Sequence, residues 1–239
     1  PYEMDMSKRL LPPSADHILG TDQYGRDLLS RIIYGSIISL QVGIIAVGFS
    51  MFIGVLLGLV SGYYGGIVDR IIMGLVDIFL SFPVILLAIA FVAALGPSPR
   101  NVMIALGLTG WTSYARTVRS SVLAIKEEEF VLAAITTGAG SVRIMFTYIL
   151  PNTLAPIIVM ATLGLGTAII SESTLSFLGL GILPPTASWG NTLSFGLKFL
   201  RDAPHLSTFP GLAIMITVLG FNLLGNGIRD ITDPKLSRK

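Results

Sequence analysis

The 239 residues are 52% hydrophobic and only 13% charged, with a mean hydropathy of +0.77. A soluble domain carries roughly 25% charged residues, so the composition excludes an ordinary water-soluble globule. The net charge of +2 gives no reason to expect a nucleic-acid partner, and the absence of cysteine excludes structural disulfides and Cys-based zinc or iron–sulfur sites.

Residues 1–38 read as an N-terminal arm with an amphipathic segment. The chain begins at Pro1, and no apolar leader precedes the first span, so an upstream segment is expected. From Ile32 to Val68 there is no acidic or basic side chain for 37 residues, where about 20 apolar residues cross a bilayer as helix. Barrel strands alternate over about 10 residues, and these runs do not. The fold class is therefore an all-α membrane protein. Five spans are expected, at 39–61, 71–95, 102–124, 150–172 and 209–228.

In the first span Ala46, Ser50, Gly54, Gly58, Gly62 and Gly66 recur every fourth residue, a stripe of small side chains along which another backbone can pack closely. The partner helix could belong to this chain or another. Asp77 lies two turns into the second span. It reads either as a proton-coupling site or as a structural hydrogen bond near the cytoplasmic end, and the lack of a second mid-membrane charge favours the latter. Glu172, at the outer end of the fourth span, reads as an interfacial anchor. The loop at 173–208 carries Pro184, Pro185, Trp189 and Phe195, a stiff turn beside aromatics that fits an outer gate or a membrane belt.

Orientation follows the basic residues. Arg70, Arg116, Arg119, Lys126, Arg143, Arg229, Lys235, Arg238 and Lys239 fall on one side, against Arg100, Lys198 and Arg201 in the opposite loops. Lys8, Arg9, Arg26 and Arg31 of the arm join the second group. With the arm set aside, 126–151 and the 229–239 tail are cytoplasmic.

The run EEFVLAAITTGAGSVRIMFTYILPN, from Glu128 to Asn152, is too polar to span. It can form about three helical turns from Glu127, with Phe130, Ala133, Ala134 and Thr137 on one side, suited to another protein's groove. Glu127, Glu128 and Glu129 suit the positive end of its dipole. Gly138 can cap it in the left-handed conformation, Ser141 can cap a following helix, and Arg143 would sit at headgroup level. An ordinary helix resting on the membrane is the alternative. There is no GxxxxGK[ST], HExxH or GxSxG, and His17 and His205 stand alone, so neither catalysis nor a metal site is expected.

The run resembles the cytoplasmic EAA loop of ABC importer permeases, EAA-xxx-G-x9-I-x-LP. Ala133 and Ala134 match the alanines, Gly138 the glycine, and Leu150-Pro151 the terminal pair. Leu132 replaces the glutamate and Tyr148 the isoleucine. HILGTDQYGRDLLSRIIYGSIISL (17–40), GYYGGIVDRIIMGLVDIFLSFP (62–83) and ESTLSFLGLGILPPTASWG (172–190) resemble the C-type permease subunit of dipeptide, oligopeptide and nickel importers. Departures are Ile37, where a basic residue is frequent, and Ile135-Thr136-Thr137, where a more basic, apolar triplet is common.

The resemblance implies a type I ABC importer transmembrane domain over 39–228 in the cytoplasmic membrane of a bacterium or archaeon, with a sixth span before Pro1. The implied partners are a B-type permease, two ABC ATPases that bind the ATP and magnesium, an extracytoplasmic binding protein, and lipid. This chain would bind no cofactor. Glu129, Phe130, Ala133, Ala134, Thr137, Gly138 and Arg143 would dock an ATPase. Peptides are the implied cargo, with nickel chelates, glutathione or another small solute as alternatives. An ion-coupled secondary transporter using Asp77 is the rival class, and a purely structural membrane subunit is a third.

Overall fold

The computed structural model describes residues 1–232, so Lys235, Arg238 and Lys239 lie outside the described residues. Among those described there is no β-strand, only a single bridge between Thr21 and Asp27 in the arm. The first helix, α1 (Leu28–Tyr64), starts where Asp27 accepts a hydrogen bond from the Ser30 amide at 2.8 Å. It therefore absorbs the last eleven residues assigned above to the arm. Its 37 residues span about 55 Å at 1.5 Å per residue, well beyond a hydrocarbon core of about 30 Å.

The expected span at 71–95 is not one helix. It splits into α2 (Gly66–Leu80) and α3 (Val84–Leu95), bent by 89° at Ser81-Phe82-Pro83. Pro83 has no amide proton to continue the ladder, and the residue before a proline is pushed out of the helical region. Next comes α4 (Pro99–Ile125), with Ser98 capping the Asn101 amide and proline in the first turn. A short α5 (Glu129–Thr136) follows. α6 (Ser141–Arg143), a π-helical turn (Ile144–Ile149) and α7 (Leu150–Phe177) then run on as one 37-residue helix. The wider turn leads directly into Pro151, whose ring cannot take a normal α-helical turn, and Asn152 Nδ2 donates to the Tyr148 carbonyl there at 2.7 Å. α8 (Trp189–Leu197) and α9 (His205–Thr232) complete the chain.

By length and apolarity together, α1, the 141–177 helix and α9 qualify as spans, with the bent α2–α3 pair as a fourth. The expected span at 102–124 coincides with α4, whose 27 residues are long enough to cross but include Arg100, Arg116 and Arg119. α4 packs against α1, α2, α3 and α7, and two of those arginines find carboxylates on α2.

The small-residue stripe lies on α4 of the same chain. A Cβ on Gly54 would meet the Tyr114 Cβ and the Trp111 carbonyl. One on Gly58 would lie 2.6 Å from the Ala115 carbonyl, and one on Gly62 would lie 2.7 Å from the Val122 Cβ. Ser50 Oγ donates to the Gly107 carbonyl at 2.9 Å, and Ala46 packs in a cluster with Ala105 and Leu106. Gly66 is not part of this seam: with φ +53° and nothing within 4 Å, it serves the turn into α2.

Candidate functional site

α5 is a two-turn helix that starts at Glu129, shorter than the three turns expected from Glu127. Val131 and Ala134 point inward, Val131 into a cluster with Val118, Val122, Ile144 and Ile149. Phe130, Leu132 and Ile135 are 43%, 49% and 47% exposed, Phe130 on one flank of the helix and Leu132 with Ile135 on the other, with exposed Glu129 and Ala133 between them. Ala134 thus belongs to the foot of the helix and not to its outward surface, because residues three apart share a helix face and Val131 anchors that face. Glu129 lies in the first turn, where its charge suits the helix dipole.

The C-terminus closes as a Schellman turn. Gly138 has φ +81°, its amide donates to the Ile135 carbonyl at 3.0 Å, and the Ala139 amide reaches back to Ala134 at 3.0 Å. Thr137 Oγ1 donates to the Ala133 and Ala134 carbonyls, so its side chain is turned onto its own helix. Ser141 does not cap the next helix. Gly140 holds the cap position, Ser141 is the first helical residue, and Arg143 is exposed one turn in.

Behind α5, α4 is fastened to α2. Arg119 forms two hydrogen bonds with Asp69, at 2.5 and 2.6 Å, and Ser61 Oγ from α1 donates to the same carboxylate at 2.5 Å. Asp77 pairs with Arg116 at 2.7 Å, with both side chains more than half exposed. The basic partner missing from the hydropathy reading is on the neighbouring helix, which places Asp77 in an ion pair.

At the opposite end, Glu172 is fully buried and is not an interfacial anchor. Its carboxylate accepts from Ser176 Oγ at 2.8 Å and Ser39 Oγ at 3.3 Å, while Ser39 Oγ accepts from the Trp189 amide at 3.3 Å. Trp189 Nε1 donates to the Ile32 carbonyl at 2.9 Å. Helices α1, α7 and α8 therefore meet at one carboxylate, and Trp189 is buried there, pinning the 173–208 loop to α1. Pro184 and Pro185 are exposed and joined by a cis peptide bond. Phe195 is half-buried beneath the Lys198 ammonium, 5.2 Å from its ring centre. The arm folds over this end, with Arg26 and Arg31 buried around Asp22 at 2.6 and 3.6 Å. That burial takes two of the four arm charges out of the orientation tally.

Between α1, α4 and α7 lies an open cavity of about 400 Å³. Its hydroxyls are Ser50, Thr109, Ser113, Tyr114, Thr167 and Ser171, and none of its fifteen lining residues is charged.

Residues 54–238 match the family described as binding-protein-dependent transport system inner membrane component. The chain belongs to this family. Among curated relatives, the dipeptide transport system permease protein DppC of Alkalihalophilus pseudofirmus is 51% identical over 98% of this chain and 77% of its own length. The glutathione transport system permease protein GsiD of Pectobacterium atrosepticum is 46% identical over 94% and 74%. Of solved structures, a chain of the MetNI methionine ABC transporter superposes with a TM-score of 0.68 at 20% identity, covering 86% of this chain and 98% of that one. An amino acid ABC transporter gives 0.65 at 14% identity, covering 84% and 94%.

In this inner membrane component, α5 and its cap leave Phe130, Ala133 and Gly138 exposed, while Ala134 is buried and the Thr137 hydroxyl bonds back to its own helix. The exposure of Leu132 and Ile135, the Asp69–Arg119 pair and the cavity did not emerge from the sequence. The Thr109/Ser113 and Thr167/Ser171 spacing of four was a usable signal, because it puts each pair on one helix face.

Proposed function

We propose that the chain is a non-catalytic permease subunit of an ATP-driven importer, forming half of the membrane pathway for di- or oligopeptides. A second, B-type permease supplies the other half, an extracytoplasmic binding protein delivers the peptide, and two partner ATPases hold the ATP and magnesium. The observation that carries the reading is α5: exposed Phe130, Leu132 and Ile135 flank its outward surface, on a foot buried between two long helices. Such a face is suited to a groove on a partner, and its rigid foot passes a push or pull to α4 and to the 141–177 helix. The peptide cargo is supported by the 51% identity to a dipeptide permease, and glutathione, itself a tripeptide, by the 46% identity to a glutathione permease.

The test is Gly138→Leu in the assembled transporter. Nothing lies within 4 Å of a Cβ there, so the substitution acts through φ +81°, which costs a residue with a Cβ about 1–2 kcal/mol and twists the end of α5. Peptide uptake should fall at least tenfold while the protein still reaches the membrane. Full uptake with normal coupling to ATP hydrolysis refutes the lever, and transport by the chain alone in ATPase-free vesicles refutes the whole reading.

A further inference from the structure

At the end of the bundle where the arm closes over α1, α8 and the start of α9, two arginines are buried against one aspartate. Arg26 is 3% exposed and Arg31 2%. Asp22, itself buried, is the only carboxylate within 4 Å of either among the described residues. Asp27, the next acidic residue in the chain, is committed to the Ser30 amide and the His17 ring. The cluster therefore carries one positive charge more than it neutralises. A buried charge left unpaired is strongly unfavourable, so this one calls for a counter-ion.

Asp22 has no capacity left for the second arginine. Its Oδ1 accepts from the Tyr24 and Arg26 amides at 2.9 and 3.0 Å, and its Oδ2 accepts from Arg26 Nε at 2.6 Å. Arg31 Nε stands 3.6 Å from the same Oδ2, beyond hydrogen-bond reach, and Arg31 Nη1 donates to the Pro1 carbonyl at 3.2 Å. Among the described residues the two guanidiniums make no other hydrogen bond through their side chains. Gln23 Nε2 is buried and makes none at all. These nitrogens carry hydrogens and no lone pair to offer, so what they lack is an acceptor.

The same groups line one cavity. Asp22, Gln23, Arg26 and Arg31 form its charged and amide wall, and Phe195 of α8 and Leu206 of α9 help to close it. Its volume, about 10 Å³, is room for one water-sized particle, too little for a phosphate, a sulfate or a free peptide. A water would fit by size, but it is neutral and brings two hydrogens of its own to a wall already rich in donors. A monatomic anion accepts from every nitrogen and cancels the excess charge.

We infer that Gln23, Arg26 and Arg31 hold a single halide ion, chloride in ordinary salt, which ties the arm to α1, α8 and α9. The inference goes beyond the importer reading and does not depend on it.

The experiment uses the assembled transporter in detergent. Sodium gluconate is replaced stepwise by sodium chloride at one ionic strength, so that screening stays constant. The readout is the fraction of this chain left soluble after heating. In the wild type, chloride at one hundred times its Kd should raise the midpoint by about 5–11 °C over gluconate. Sodium bromide should act in the same way. Arg31→Gln removes the excess charge and should abolish the response. Gln23→Leu removes a donor that bonds to nothing in the fold, so it should leave the midpoint in gluconate nearly unchanged and raise the chloride needed for half the shift about tenfold or more. Equal wild-type melting in chloride and gluconate overturns the inference, because a water or a carboxylate from elsewhere in the assembly then holds the place. An undiminished response in Arg31→Gln also overturns it, because the ion then binds elsewhere. If Arg31→Gln does not fold, Gln23→Leu decides alone: an unshifted chloride dependence refutes the site.

Discussion

Gly58→Ala tests the α1–α4 seam. The added Cβ would sit 2.6 Å from the Ala115 carbonyl and 2.8 Å from the Val118 Cβ, and neither is the free end of a flexible side chain. Restoring an ordinary 3.4 Å contact requires the two helices to part by about 0.8 Å. A gap of 0.5–1 Å forfeits about a quarter to a half of the dispersion attraction along the contact, and overpacking of this kind costs about 1–3 kcal/mol. Alanine returns about 1 kcal/mol of helix propensity, so a net loss of up to roughly 2 kcal/mol remains. For a chain of this size that lowers the melting temperature by up to about 8 °C, using about 2–4 °C per kcal/mol. The comparison is Gly74→Ala, where nothing lies within 4 Å and stability should hold or rise. Adding Gly54→Ala to Gly58→Ala should cost less than the two single losses combined, because one displacement of α4 relieves both clashes. Melting of the purified protein in detergent reads all four. If Gly58→Ala melts with Gly74→Ala, the close approach does not exist.

The buried carboxylate between α1, α7 and α8 should distinguish Glu172→Leu from Glu172→Gln. Leucine orphans the Ser39 and Ser176 hydroxyls, at about 1–3 kcal/mol per buried group, and should expose the 178–188 loop to protease, while glutamine keeps both bonds in large part. Equal digestion of the two variants would refute the latch. Asp69→Ala removes a two-bond, charge-assisted clamp and should cost about 1–3 kcal/mol of thermal stability. Reversing the pair, Asp69→Arg with Arg119→Asp, should recover part of it, and no recovery would show that the charge is not what matters. In the arm, burial pushes the Asp27 carboxyl up, but hydrogen bonds from Ser30 and His17 outweigh it and hold the group below the ordinary aspartate range. Its contribution to stability is therefore complete above about pH 4 and fades as the pH falls through the lower folded value. Asp27→Asn should flatten that part of the acid melting curve, and an unchanged curve would remove the cap from the account.

How much of the protein was legible in the sequence depended on whether a feature is local. The Gly138 cap needs only a residue without a Cβ at the end of a helix, and the sequence shows it. The stripe from Ala46 to Gly62 announces a close helix contact, because spacing of four maps to one face whatever the surroundings. Hydropathy placed the apolar runs, but it could not distinguish a straight span at 71–95 from two helices bent by 89°, since both have the same composition.

The rest concerns partners far apart in the chain. Asp77 looked solitary because Arg116 is 39 residues away, and Glu172 looked like an anchor because Ser39 is 133 residues away. Ala133 and Ala134 were equivalent in the sequence and are opposite in the structure, because Val131 decides which face of α5 goes down. The sequence by itself determined an all-helical membrane protein, its packing stripe and the polar helix between two spans, all of which follow from composition and period. Only the tertiary structure decided which polar groups meet, which face of α5 looks outward, and which scattered residues line one uncharged cavity. Burial and hydrogen-bond partners are properties of the packed helices, and no single helix carries them in its own sequence.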